Sequence, residues 1–92
     1  MHQTARFVDT PNGPIVVVDV DPLLLFDEVA ADRYRRKVSR TLGGCQTLLR
    51  CQVGSGFLIN GEQNLRRFAV DPIVDTLPAV DIDFVPDTRK AA

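Results

Sequence analysis

Apolar residues occur in short runs along the chain, and the first two runs flank a proline-rich loop. Residues 6–9 form the first run, and the loop that follows at 10–14 has two prolines around Asn-Gly, which is a strong turn signal. The β-branched run at 15–20 favours an extended strand. Residues 5–20 are therefore predicted to form a β-hairpin.

The spacing of apolar residues changes to a helical period after this hairpin. Asp21 can cap a helix and Pro22 suits its first position, where a backbone N–H is not needed. Gly43 and Gly44 can supply a left-handed end. The apolar or aromatic positions between these signals recur four apart, at Phe26, Ala30, Tyr34, Val38 and Leu42. This pattern predicts one amphipathic helix with a stripe that faces the core.

From Thr47 the apolar period becomes two, which is typical of strands. A glycine-rich turn leads to a second apolar run at 57–59. Asn60 and Gly61 then form the preferred pair for a tight hairpin turn, so the sequence predicts a return strand over 62–70. The middle of the chain is thus expected to form successive antiparallel strands.

The last part of the chain combines apolar residues with Pro72, Pro78 and Pro86. We interpret residues 72–86 as an extended arm and residues 87–92 as a short polar tail. The prolines keep the arm from being a long central strand, because proline cannot donate to a ladder.

One helix and about five or six strands, mainly antiparallel, predict a single small α+β domain over residues 1–86. The apolar side chains of the arm exceed what one helix can cover, so we expect them to form an interface. Those interface residues are Ile73, Val74, Leu77, Val80, Ile82, Phe84 and Val85. An extended arm of this kind can add a strand to a neighbour's sheet or complete its own.

The charge balance of the chain limits the classes of partner. The 92 residues carry 11 Lys and Arg against 12 Asp and Glu, a formal net charge of -1. This balance argues against a protein that coats polyanions. No apolar run approaches the ~18 residues needed to cross a bilayer, and no secretory signal is visible. We therefore expect a cytoplasmic protein without a membrane partner.

Residues that could carry catalysis are few. His2 is the lone imidazole, so a nucleophilic dyad with Cys45 or Cys51 is poorly supported. Two cysteines and one histidine also fall short of a zinc site, and we expect both cysteines to be free thiols. Gly54 and Gly56 resemble neither a phosphate-binding nor a dinucleotide-binding loop. The sequence predicts no enzyme, no catalytic residue, no metal, no cofactor and no small-molecule substrate.

Two pairs of aspartates share a face of a predicted strand, Asp19 with Asp21 and Asp81 with Asp83. The residues of each pair lie about 6.6 Å apart along a strand, a spacing that can bind Mg²⁺. Exposed aspartates also keep a strand from pairing wrongly, and Asp21 serves as a helix cap. A metal-dependent enzyme is accordingly the third hypothesis.

The predicted helix carries a basic face opposite its apolar stripe, formed by Arg33, Arg36, Lys37 and Arg40. Such a face can bind phosphates, which makes a nucleic-acid-binding regulator the alternative function. The acidic overall charge and the absence of interleaved aromatic residues speak against it. The favoured hypothesis is a non-enzymatic structural or assembly protein, acting as a homo-oligomer or within a larger protein assembly. A phage virion or tail component is one example, in which case the chain is incorporated into a virion.

Overall fold

A computed structural model of the protein describes residues 3–82, which form a five-stranded sheet with helical segments on both faces. The elements are β1 (Gln3–Val8), β2 (Ile15–Asp19), α1 (Pro22–Leu25), α2 (Glu28–Thr41), β3 (Gln46–Val53), β4 (Gly56–Asn60), α3 (Arg66–Val70) and β5 (Val80–Ile82), with 3-10 turns at Gln63–Leu65 and Pro72–Thr76. The strand order is β4-β3-β2-β1-β5. The predicted α+β class with a mainly antiparallel sheet is confirmed.

The predicted hairpin is present as β1 and β2, which pair antiparallel with Ala5 opposite Val18. The next pair, β2 with β3, is parallel, with Val17 opposite Leu48. A parallel pair needs a crossover connection, which α1 and α2 provide. Because helical segments cover both faces of the sheet, all residues of β2 before Asp19 are buried.

The expected single helix is wrong, because the chain breaks between α1 and α2. Asp21 and Pro22 begin α1 as predicted, with the backbone N–H of Leu23 donating to the Asp21 carboxylate. Asp27 is then extended, and its carboxylate accepts from the N–H groups of Val29 and Ala30 at 3.1 and 3.2 Å. A side chain that caps a new helix in this way ends the helix before it.

The break changes which residues face the sheet. Phe26, expected in the core stripe, is 71% exposed at the corner between the two helices. Ala31 and Val38 are the buried residues of α2, with Tyr34 and Leu42 packed partly against them. The predicted end of the helix is confirmed, since Gly43 and Gly44 have positive φ angles of 82° and 89°.

The predicted return strand over 62–70 is also wrong, because this segment is helical. A tight type I′ turn needs positive φ at both central residues, and neither Asn60 nor Gly61 has one. The chain leaves the sheet at Gly61 and buries Leu65 and Ala69, which are four apart. That spacing belongs to a helix.

The described part of the predicted arm belongs to its own chain. Residues 72–76 form a 3-10 turn rather than an extended segment. Val80–Ile82 then pairs antiparallel with β1, with Ala5 opposite Val80. Phe84 and Val85, which were expected to belong to the interface, lie outside the described residues, as does the polar tail at 87–92.

Alternate residues of β2 contribute to two separate cores. On the side of α1 and α2 the buried residues are Ala5, Val16, Val18, Val20, Ala31, Val38, Leu49 and Ile82. On the opposite side they are Ile15, Val17, Leu48, Leu65, Ala69 and Val74. The sheet is therefore the middle layer of the molecule.

Arg50 connects the sheet to α3, on the side of the second core. Its side chain is 3% exposed and donates to the carboxylate of Asp19, the carbonyl oxygen of Ala69 and the carboxylate of Asp75, each at 2.7 Å. The guanidinium carbon also lies 4.9 Å from the ring centre of Phe57. Burial would lower the pKa of Arg50, but the hydrogen bonds with Asp19 and Asp75 outweigh it and the pKa is raised.

Candidate functional site

The residues of the expected interface do not share one surface. Val74 and Ile82 are buried in the two different cores, on opposite faces of the sheet. Ile73 and Val80 are exposed, and Leu77 is half-buried. β5 completes its own sheet, so the described part of the arm does not form the free extended segment that was expected.

The two outer strands of the sheet differ in how they are protected. β5 follows Pro78 and carries the exposed Asp81. β4 has five residues and contains neither a proline nor a charged side chain, and Phe57, Leu58 and Ile59 are half-buried. Natural edge strands usually carry charges, prolines or bulges that prevent pairing with other chains. By that criterion β5 is protected and β4 is not.

An apolar corner lies at the junction of α1 and α2. It consists of Leu23, Phe26 and Val29, which are 73%, 71% and 66% exposed. A cavity of about 300 Å³ beside it is lined by Gln3, Asp21, Leu23, Leu24 and Tyr34. Sequence analysis missed this corner, because it assigned Phe26 to the core.

A second cavity, the arginine cavity, lies between the C-terminal half of α2 and the start of β3. Its volume is about 340 Å³, and it is lined by Arg35, Arg36, Ser39, Arg40, Gly44, Cys45, Gln46, Thr47, Glu62 and Leu65. Of the predicted basic face, Arg36 and Arg40 are here, whereas Arg33 and Lys37 are not part of the lining. Arg35 was missed, although it lies one position before Arg36 and five before Arg40.

Arg35 is held in place by its neighbours. Its Nε donates to the side-chain oxygen of Asn60 at 2.8 Å, and its Nη2 lies 3.4 Å from a carboxylate oxygen of Asp32. Asn60 donates in turn to the same oxygen of Asp32 at 3.0 Å. The hydrogen bond from Asn60 lowers the pKa of Asp32, with a smaller contribution from Arg35. This triangle joins α2 to the end of β4.

Several carbonyl groups at the end of α2, beside the arginine cavity, already accept hydrogen bonds. The backbone N–H groups of Gly44 and Gly43 donate to the carbonyl oxygens of Ser39 and Arg40 at 2.7 and 3.3 Å. The hydroxyl groups of Ser39 and Thr47 both donate to the carbonyl oxygen of Cys45, at 2.7 and 3.0 Å. With these acceptors occupied, the guanidinium groups dominate the chemistry of the cavity.

Two of the four aspartates considered as metal ligands already have other partners. Asp19 accepts from Arg6 at 2.6 Å and from Arg50 at 2.7 Å, and Asp21 caps α1. Asp81 is exposed, and Asp83 lies outside the described residues. Within residues 3–82, no three histidine, cysteine or acidic side chains are grouped so that they could hold a metal ion.

Both cysteines are free thiols, as predicted. Burial raises the pKa of Cys51, and the carboxylates of Asp21 and Asp19 add to this effect. A raised pKa keeps the thiol protonated, which is unfavourable for a nucleophile. His2, the only imidazole considered as a base, lies outside the described residues.

Comparison of the chain with protein-family models, curated protein sequences and solved structures found no match. Among the helices of residues 3–82, none is long and apolar enough to cross a membrane. The features of the described residues that bear on function are β4, the apolar corner and the arginine cavity.

Proposed function

We propose that this protein is a non-enzymatic assembly component that joins further copies of itself by strand addition at β4. The observation that carries the proposal is the outer edge of β4, a five-residue strand without charge or proline. Strand addition uses the backbone hydrogen-bonding groups of an exposed edge for affinity and alternate side chains for specificity. The proposal moves the predicted interface from the C-terminal arm to the opposite edge of the sheet.

Two copies of β4 are complementary about a two-fold axis. Antiparallel pairing centred on Leu58 places Phe57 opposite Ile59 of the second copy, and no charged side chains meet. Aromatic and β-branched residues opposite each other contribute about 0.2–1 kcal/mol per pair. Two copies of β5 paired in the same way would bring one Asp81 close to the other, which is unfavourable. The sequence thus favours self-association at β4 over β5.

The test is the molar mass of the protein in solution, measured by light scattering over a hundredfold range of concentration. Wild-type protein is expected to show a dimer that dissociates on dilution. Leu58→Lys is expected to remain a monomer, because a lysine on an edge strand opposes pairing. Val80→Lys is the matched control, since Val80 is 47% exposed and lies on β5, at the opposite edge of the sheet.

Phe26→Ser tests whether the apolar corner, rather than the edge of β4, is the dimer interface. If this variant is monomeric while Leu58→Lys still dimerises, the corner is the interface and the proposal for β4 is wrong. A wild-type monomer at every concentration would also overturn it. Far-UV circular dichroism of each variant shows whether the fold is retained. The further hypothesis of a phage virion or tail component stays a prediction, which mass spectrometry of purified particles would test.

A further inference from the structure

We propose that the arginine cavity binds the phosphate group of a small phosphorylated molecule. This proposal does not depend on self-association at β4. It rests on three properties of the cavity: an excess of guanidinium groups, a size suited to a small ligand, and carbonyl oxygens of Ser39, Arg40 and Cys45 that already accept hydrogen bonds.

The charge of the lining is strongly positive for a protein whose net charge is -1. Arg35, Arg36 and Arg40 line the cavity, and Glu62 is the one carboxylate among the lining residues. Arg35 is anchored by Asn60 and Asp32, whereas no ion pair or hydrogen bond within residues 3–82 occupies the side chains of Arg36 and Arg40. Arg36 and Arg40 are four apart on α2, so their side chains project from neighbouring turns.

Guanidinium groups recognise phosphate through two parallel N–H donors, which match the geometry of its oxygens. Arg36 and Arg40 have these donors available, and Arg35 adds a third positive charge in a fixed position. An anion near the C-terminus of a helix is normally disfavoured by the helix dipole. Here Gly43 and Gly44 satisfy the terminal carbonyls, and three arginines oppose the remaining negative potential.

The size of the cavity indicates that the ligand is larger than a phosphate ion. Its volume of about 340 Å³ lies at the lower end of the range for small-molecule sites, roughly 300–1,000 Å³. Leu65 and Gly44 give part of the wall an apolar character that can contact an organic group. A phosphate monoester with the size of a sugar phosphate or mononucleotide therefore fits this cavity better than inorganic phosphate.

The distribution of charge along α2 favours a discrete site over a nucleic-acid groove. Arg33 and Lys37, expected to share the basic face, are outside the cavity lining. A polynucleotide surface requires a continuous row of cations spaced along the backbone. A nucleic-acid strand supplies the same phosphate chemistry, so it is compared with the free molecule in the test.

The experiment measures binding of adenosine 5′-monophosphate and inorganic phosphate by isothermal titration calorimetry, and of a fluorescent single-stranded oligonucleotide by anisotropy, all in 100 mM sodium chloride. Wild-type protein is expected to bind the mononucleotide, and more tightly than inorganic phosphate. The double variant Arg36→Gln/Arg40→Gln is expected to weaken binding at least tenfold. Arg33→Gln is the matched control, an exposed arginine of the same helix, and is expected to leave affinity within twofold.

Glu62→Gln is expected to change the affinity in the opposite direction. Removing the one carboxylate of the lining is expected to strengthen binding severalfold, which loss of folding cannot imitate. The proposal is overturned if no phosphate compound binds, if Arg33→Gln weakens binding as much as the double variant, or if Glu62→Gln has no effect. Binding of the oligonucleotide at least a hundredfold more tightly than the mononucleotide would also overturn it, in favour of the nucleic-acid alternative.

Discussion

The buried guanidinium of Arg50 gives a quantitative test of what holds the helical layer of α3 on the sheet. Arg50→Met keeps much of the apolar stem of the side chain and removes every donor. The carbonyl of Ala69 then loses a buried partner, and Asp19 retains only its pair with Arg6. The variant therefore measures the polar connection between β2, β3 and α3.

The magnitude follows from the exposure of each partner. A buried carbonyl such as that of Ala69 loses about 1–3 kcal/mol when its donor is removed. Asp19 is 32% exposed and keeps its pair with Arg6, so it adds less than the cost of about 3–5 kcal/mol expected for a fully buried pair. The side chain of Asp75 is 59% exposed, so its pair with Arg50 is screened by water and contributes only about 0–1 kcal/mol. We expect Arg50→Met to lower the free energy of unfolding by about 3 kcal/mol. The total for a small domain is typically about 5–15 kcal/mol.

The assay is equilibrium unfolding in urea, followed by far-UV circular dichroism at 25 °C, with the free energy taken from the midpoint and slope. Asp75→Asn is the control and is expected to cost less than about 1 kcal/mol. The reasoning fails if Arg50→Met lies within about 1 kcal/mol of wild type, or if Asp75→Asn is equally damaging.

Three further variants test local features of the fold. The added methyl group of Gly61→Ala would overlap the end of the buried Leu48 side chain. We expect this variant to lower the free energy of unfolding in urea by about 1–3 kcal/mol. An unchanged free energy would mean that the Leu48 side chain moves aside without cost. Asp27→Ala removes the N-cap of α2 and is expected to lower the free energy of unfolding by about 1 kcal/mol in the same urea curves. An unchanged midpoint would show that the cap does not stabilise the fold. The Asn60 hydrogen bond lowers the pKa of Asp32 in the folded state. The contribution of this bond to the free energy of unfolding is therefore present above the unfolded pKa of Asp32, about 3.9, and is lost as the pH falls through the folded pKa. Asp32→Asn should therefore flatten the loss of stability in unfolding curves measured from pH 5 to pH 2, and a slope identical to wild type would contradict this.

Local signals in the sequence predicted the parts of the fold that depend on local chemistry. The hairpin loop, the Asp21 cap and the left-handed glycines at the end of α2 follow from the conformations that single residues prefer. The break at Asp27 had the same kind of signal, a short carboxylate before a helical segment, but the four-residue period was extended across it.

The remaining errors have a tertiary origin. Asn60 is a common turn residue, but here its side chain bonds to Arg35 and Asp32 on α2, and the chain leaves the sheet. The arginine cavity was only half predicted, because its wall comes from β3 and the segment after β4 as well as from one helix face. Which residues of a basic helix share a surface depends on what packs beside that helix, and sequence spacing alone does not contain this information.

The pairing of β1 with β5 has a consequence for the order in which the fold is completed. These strands come from opposite ends of residues 3–82, so their pairing closes a long loop. Closing such a loop costs conformational entropy, which the contacts of β5 must offset. During synthesis on the ribosome, β1 and β2 emerge well before β5 does. The outer edge of β1 therefore stays unpaired until β5 has been synthesised. Amide hydrogens of this ladder should accordingly exchange with solvent sooner than those between β2 and β3.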